Sequence, residues 1–142
     1  MTPLWAPRAW LAGAWQATLV RGEQTTVTLT LTPDGERLKL VSAPIAIATR
    51  PEWADYRSFW RERFGADLDR VVYRGEGRLI SGPGSAPRID LALQVLPDGG
   101  DNPVDNGNLS ATLSADGQRL EGTIWLNSAQ ADWPALLRRA PR

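Results

Sequence analysis

The chain has 142 residues, a natural length for a single domain over residues 1–142, and a chain of this size buries roughly 70% of its unfolded surface. Its 16 basic and 16 acidic residues cancel, so no net field would attract nucleic acid. The absence of cysteine and histidine excludes disulfides, thiolate metal sites, thiol nucleophiles and histidine general bases.

The first residues resemble an export signal only in outline. Arg8 precedes a short apolar stretch over residues 9–14, and no apolar run in the chain approaches the roughly 20 residues that span a bilayer. Trp15, Ala17 and Leu19 then continue as an alternating strand. We therefore expect this stretch to belong to the fold and the protein to be cytoplasmic, with export as the alternative.

Alternation of apolar and polar residues predicts a β-hairpin over residues 25–40. The apolar members of the alternation are Val27, Leu29, Leu31, Leu38 and Leu40. Period two places them on one buried face, with threonines on the other face of the first strand. The Pro-Asp-Gly triplet at 33–35 is a turn signal. A change of parity after Pro44 predicts a bulge or strand break near residues 42–44.

Residues 51–64 have the spacing of a helix. Their aromatic side chains form one stripe, made of Trp53, Tyr56, Phe59, Trp60 and Phe64. Pro51 suits the first turn, and Gly65 suits the end. These aromatic residues either cap an open end of the fold as core residues or line a ligand cavity or a partner surface.

Further alternating segments follow at residues 71–79, 89–95, 109–113 and 120–127. Trp125 falls on the polar parity of the last segment, so we expect it to mark an interface if it is exposed. Residues 133–139 leave two interpretations open, because Pro134 fits a helix start and the spacing fits an extended strand equally well.

About seven successive strands joined mostly by short turns, with one inserted helix, predict a mainly β, antiparallel up-and-down meander. Closing such a sheet into a barrel removes its exposed edges. A β-sandwich is the alternative, because periodicity alone does not establish closure.

The string Trp10-Leu11-Ala12-Gly13-Ala14-Trp15 resembles the start of bacterial lipocalin-like and nitrobindin-type domains, and Gly13-Ala14-Trp15 resembles the Gly-x-Trp opening of lipocalins and other calycin barrels. This resemblance implies a lipocalin-like barrel in which Trp15 plugs one end. It also implies that a late basic residue, Arg138 or Arg139, packs across the indole. An ordinary core tryptophan is the alternative role for Trp15.

The chain departs from the nitrobindin type in two ways. Nitrobindin-type proteins have glycine where this chain has Ala17, and they bind haem iron through histidine, which this chain lacks. Only Met1, Tyr56 and Tyr73 could supply the remaining axial ligands. We therefore expect no haem and no other cofactor.

Two loops have compositions that could indicate a phosphate site or a calcium site. Residues 81–85 are rich in glycine but lack the Gly-Lys-Ser/Thr ending of a phosphate loop, so a hairpin loop is predicted. Residues 98–108 carry Asp98, Asp101 and Asp105, and such oxygen ligands suit calcium. The spacing is not that of an EF-hand and these are ordinary turn residues, so we expect a solvated loop and no metal.

The leading functional hypothesis is a non-enzymatic barrel that binds a small apolar or amphipathic ligand. Its candidate ligand-binding residues are Trp15, Trp53, Trp60, Phe64 and Tyr73. The alternative is a protein-interaction module of the inhibitor or immunity type that uses the outer surface and Trp125. A third hypothesis, a carboxylate-based hydrolase, would need two inward-facing acidic side chains within roughly 10 Å of one another.

Overall fold

The computed structural model describes residues 11–21, 23–35, 37–81 and 84–140. Within these ranges the strands are β1 Gly13–Arg21, β2 Glu23–Asp34, β3 Arg37–Ser42, β4 Ile45–Ala46, β5 Arg70–Ile80, β6 Arg88–Pro97, β7 Asp105–Leu113, β8 Arg119–Leu126 and β9 Ala131–Arg139. Helix α1, Ala54–Phe64, follows a 3-10 turn at Pro51–Trp53 and lies between β4 and β5 in the chain. The fold is mainly β with the predicted helix inserted.

Eight of these strands close into a barrel. Pairing is antiparallel throughout and follows chain order, except that β3 and the two-residue β4 both pair with β5. The sheet closes because β1 also pairs with β9, with Trp15 opposite Arg139. The predicted up-and-down barrel is confirmed, and the sandwich alternative is wrong. The chain leaves the sheet between Ser42 and Ile45, where a strand break was expected.

Period-two alternation places apolar side chains inside this barrel. Burial alternates strictly with exposure along β3, for example. The inner wall comprises Trp15, Ala17, Val27, Leu29, Leu31, Leu38, Leu40, Val71, Tyr73, Ile89, Leu91, Leu93, Val95, Leu109, Ala111, Leu113, Leu120, Ile124, Leu126, Ala135 and Leu137. Eight strands enclose a space that such side chains fill, or that holds one small ligand.

The barrel has two ends, and different segments of the chain lie at each of them. The tryptophan end contains the start of β1, the β5–β6 loop and the turn at 114–118. The helix end contains the β1–β2 turn, α1, the loop at 98–104 and the turn at 127–130. The predicted hairpin loop at 81–85 joins antiparallel β5 and β6, although residues 82 and 83 lie outside the described ranges, as do residues 1–10.

Residues 133–139, for which helix and strand were both open, are extended and belong to β9. β9 pairs with β8 along its length, whereas β1 pairs with it only from Ala135 onward. Pro134 lies just before that point. A residue without an N–H is tolerated there, because one side of the strand has no neighbour to bond.

Arg57 holds helix α1 against the segments that precede and follow it in the sequence. Its guanidinium donates hydrogen bonds to the carbonyls of Leu68 and Ala48, both at 2.9 Å, and to the carboxylate of Asp69 at 3.1 Å. Gly65 ends the helix in the left-handed conformation, with φ of 66°. None of the described helical residues form a helix with the length and apolarity needed to cross a bilayer.

Candidate functional site at the helix end of the barrel

Trp15 closes the tryptophan end. Its side chain is fully buried, and its indole Nε1 donates to the carbonyl of Leu11 at 3.0 Å. Arg139 places its Cζ 4.6 Å from the centre of the Trp15 ring, and its Nε donates to the carbonyl of Gly117 at 3.2 Å. Arg138 is exposed on the outer wall, because side chains alternate along β9. Trp15 thus lies at the opposite end from α1.

The helix end gathers most of the other predicted aromatic residues. Trp53 and Trp60 are buried in the same apolar cluster as Tyr73. The ring centres of Trp53 and Tyr56 lie 5.1 Å apart. Phe64 packs on Trp60 with ring centres 4.3 Å apart but is 48% exposed, so it covers the outside of α1 and does not reach the inner wall. The helix end therefore contains Trp53, Trp60 and Phe64 in the helical segment and Tyr73 near the start of β5, whereas Trp15 lies at the other end.

Asp105 ties α1 to the rim of the barrel. Its buried carboxylate accepts a hydrogen bond from the hydroxyl of Tyr56 at 3.0 Å and one from the hydroxyl of Ser128 at 2.7 Å. The backbone N–H groups of Asn106 and Ser128 also donate to it, at 2.9 and 3.1 Å. These four bonds connect the helix, the start of β7 and the β8–β9 turn, and they offset the cost of burying a charge.

Asp105→Asn is expected to loosen α1 without opening the barrel. The amide has one accepting oxygen where the carboxylate has two, and it carries no charge, whereas hydrogen bonds to a charged group contribute about 1.5–3 kcal/mol. Hydrogen–deuterium exchange should accelerate in α1 and in the turn at 127–130, while β2 and β6 keep their protection. Asp98→Asn, in the exposed loop, is the matched control. Equal exchange in both variants would contradict the anchoring role.

The inner wall keeps some solvent exposure at both ends of the barrel. Toward the helix end, Tyr73 and Val27 are each 7% exposed and Ile124 is 5% exposed, while Trp133 is only half-buried. At the tryptophan end, the fully buried side chains include Trp15, Ile89, Leu120 and Leu137, whereas Leu113 is 5% exposed and the inward-facing Leu79 is partly buried.

The loop that contains Asp98, Asp101 and Asp105 does not bring them together as ligands for a cation. Asp98 and Asp101 are exposed, whereas Asp105 begins β7 and its oxygens are occupied by the donors described above. No group of three or more candidate metal-ligating side chains occurs among the described residues. Among the acidic residues whose burial the structure describes, Asp105 is the buried one, where a glycosidase-like interior would need two.

Trp125 lies on the outer wall of β8, as its parity predicts. It pairs in register with Asn108 of β7 and Asp132 of β9, and its side chain is half-buried. Trp125 therefore lies near the helix end of β8 but on the outside of the barrel, so it does not belong to the inner wall.

Two residues of the helix end were not among the candidate ligand-binding residues, although Asp105 was considered as a calcium ligand. Trp133 faces inward, and its odd parity with Ala135 and Leu137 would have indicated this once the segment was taken as a strand. Asp105 resembled an ordinary turn residue, and no local pattern connects it to Tyr56.

Comparison of the chain with models of protein families, with curated proteins and with solved structures gave no match.

Proposed function

We propose that this protein is a non-enzymatic lipocalin-like barrel that binds a small apolar or amphipathic ligand at its helix end, and that residues 1–142 form one domain of this kind. Two features support the lipocalin-like assignment. Gly13-Ala14-Trp15 opens β1, and the Arg139 guanidinium lies across the Trp15 ring at the closed end. Both are features that the resemblance to calycin barrels implies.

The apolar inner wall and the aromatic side chains at the helix end carry the functional proposal. Trp15 and Arg139 cover the tryptophan end, whereas Tyr73, Val27, Ile124 and Trp133 keep some solvent exposure toward the helix end. They come from four different strands and surround the axis of the barrel. An apolar surface reached from one end, with aromatic groups at its mouth, is the usual form of a small-molecule site.

The close packing of the wall limits the size of the ligand. Because Tyr73, Val27 and Ile124 are more than nine-tenths buried, a long ligand would have to displace side chains or α1. The Asp105 anchor restrains such movement of the helix. We therefore expect a preference for short-chain apolar molecules over long ones.

Titration of the intrinsic tryptophan emission tests this proposal. Decanoate should change the emission of Trp53, Trp60 and Trp133 in a saturable way, and palmitate and retinol should bind more weakly. Ala135→Leu adds bulk to the inner wall and should weaken decanoate binding by about tenfold, roughly the worth of two buried methylene groups. Ile124→Ala removes bulk and should extend binding to longer chains.

The control for bulk is Ala92→Leu, on the exposed outer face of β6. Decanoate binding should be unchanged in this variant, and thermal unfolding should show that all three variants are folded at the temperature of the titration. A loss in Ala92→Leu with none in Ala135→Leu would place the ligand on the outer wall. That result, or the absence of saturable binding, would overturn the proposal.

A further inference from the structure

The outer wall of β3, β5, β6 and β7 contains a continuous groove that the interior site does not use. It consists of two hollows of about 510 and 550 Å³, both lined by Glu76 and Ala92. We call this feature the outer groove. The small side chain of Ala92, on the outer face of β6, lies at the point that the two hollows share, and backbone atoms of Gly75 and Gly77 in β5 also line them. It follows β5 from Arg74 to Ile80, a span of about 20 Å at the rise of a strand.

Basic side chains dominate the rim. The charged residues that line the outer groove are Arg37, Lys39, Arg74, Arg78, Glu76 and Asp90. Four cations therefore face two anions on a protein whose total formal charge is zero. The excess of positive charge is a local property of this wall.

Both anions of the groove already have partners. Glu76 accepts from the Nε of Arg37 at 3.2 Å. Asp90 accepts from the hydroxyl of Ser110 at 2.7 Å and from Arg88 at 3.0 Å. The Ser110 hydrogen bond, followed by the hydrogen bond and charge of Arg88, holds the pKa of Asp90 below its ordinary value. Asp90 therefore remains ionised near neutral pH, and its oxygens accept hydrogen bonds from Ser110 and Arg88, while the nearby charge of Arg78 also lowers its pKa.

Arg74 and Arg78 are exposed and form no ion pair with any acidic residue of the described ranges. Arg78 lies directly opposite Arg37 in the β3–β5 register and directly opposite Asp90 in the β5–β6 register. Like charges in directly opposite positions destabilise a strand pair. An anionic group bound between the two guanidinium groups would remove this repulsion, and carboxylates fit the planar fork of arginine in a bidentate manner.

Exposed apolar side chains flank these cations. Val41 lines one hollow and Ile80 the other, and both belong to the small set of exposed large hydrophobic residues in the described chain. The outer groove thus presents cations between two apolar contacts, the complement of an acidic segment that also carries apolar side chains.

We propose that the outer groove docks an extended acidic segment of a partner protein, whose carboxylates bind Arg74 and Arg78 and whose apolar side chains contact Val41 and Ile80. Nucleic acid is a poorer match for this chemistry. The residues that line the two hollows include no aromatic side chain on which a base could stack, and Glu76 and Asp90 would face a continuous row of phosphates.

Fluorescence anisotropy with the full chain tests this proposal. The probe is a fluorescein-labelled six-residue peptide in which aspartate alternates with leucine, compared with a peptide in which lysine replaces aspartate and with a labelled oligothymidine. The aspartate peptide should bind and the lysine peptide should not. Arg78→Glu should weaken aspartate-peptide binding by about tenfold or more, and added salt should weaken it in the unmodified protein.

Arg138→Glu is the matched control, since Arg138 is also exposed on the outer wall but belongs to β9, away from the groove. It should leave peptide binding within about twofold of the unmodified protein. Circular dichroism should show that both variants are folded, and Arg74→Gln supplies a milder second test of the same site. Equal losses in Arg78→Glu and Arg138→Glu, no binding of the aspartate peptide, or tighter binding of oligothymidine than of the peptide would each overturn the proposal.

Discussion

Trp15→Ala is expected to lower the free energy of unfolding by about 3–5 kcal/mol, the range for deleting a large buried aromatic side chain. Trp15 is fully buried, its Nε1 donates to Leu11, and the guanidinium of Arg139 stacks on its ring. Alanine removes all three contacts at once and leaves a cavity at the tryptophan end. Urea unfolding followed by circular dichroism measures the loss without depending on the emission of the deleted tryptophan.

Trp125→Ala is the matched control, because the same atoms are deleted from a half-buried position on the outer wall. We expect a loss of about 1–2 kcal/mol there. A second comparison separates the cation from the ring: Arg139→Ala should cost about 1 kcal/mol and Arg138→Ala less than about 0.5 kcal/mol. Equal losses for Trp15 and Trp125 would contradict the role of Trp15 as the closing residue.

Gly107→Ala and Gly122→Ala are each expected to destabilise the barrel by about 3 kcal/mol or more, at or beyond the upper end of overpacking effects. A Cβ atom at Gly107 would overlap the carbonyl oxygen of Trp125, and one at Gly122 would overlap that of Ser110. Backbone atoms paired in a sheet cannot move aside as a flexible side chain can. The strands would have to separate, and thermal unfolding should show a large fall in midpoint.

Gly100→Ala is the control for this pair of substitutions. A Cβ atom there would come no closer than 3.3 Å to its neighbours, which belong to the side chain of Pro97 in an exposed loop. We expect a change within about 0.5 kcal/mol. If Gly107→Ala unfolded at the same temperature as Gly100→Ala, the close approach of β7 and β8 would be contradicted.

The strands themselves are predictable from local sequence. Alternation over residues 25–32 lies within β2, and the aromatic stripe at 51–64 matches the 3-10 turn and α1. Along β2 burial has the same period as the apolar residues, so a few neighbouring residues are sufficient there. In α1 the stripe predicts the helix but not its burial, because Trp60 is buried whereas Phe59 is 63% exposed. Closure of the sheet into a barrel could not be predicted in this way. Whether β1 meets β9 depends on the twist and register of every strand between them, and no local period contains that information.

The site was less predictable, for reasons that particular residues illustrate. Tyr56 and Asp105 meet only because α1 folds over the start of β7, so their hydrogen bond depends on tertiary structure. The inward orientation of Trp133 depends on residues 133–139 being a strand. Pro134 also suits the start of a helix, so the sequence did not distinguish the two structures. Phe64 belongs to the same stripe as Trp60, yet it lies at the last residue of α1, where the helix no longer faces the barrel.

The pairing of β1 with β9 also has a consequence for how the chain reaches its fold. These strands come from opposite ends of the described chain, so bringing them together requires closing the longest loop in the barrel. Hairpins such as β2–β3 and β5–β6 need only local closure and can form before it. Until β1 meets β9, both strands present unpaired backbone groups to other molecules. The contact of Arg139 with Trp15 joins β9 to β1 and stabilises their pairing. It therefore stabilises the contact that covers the two strand edges at which the chain could aggregate.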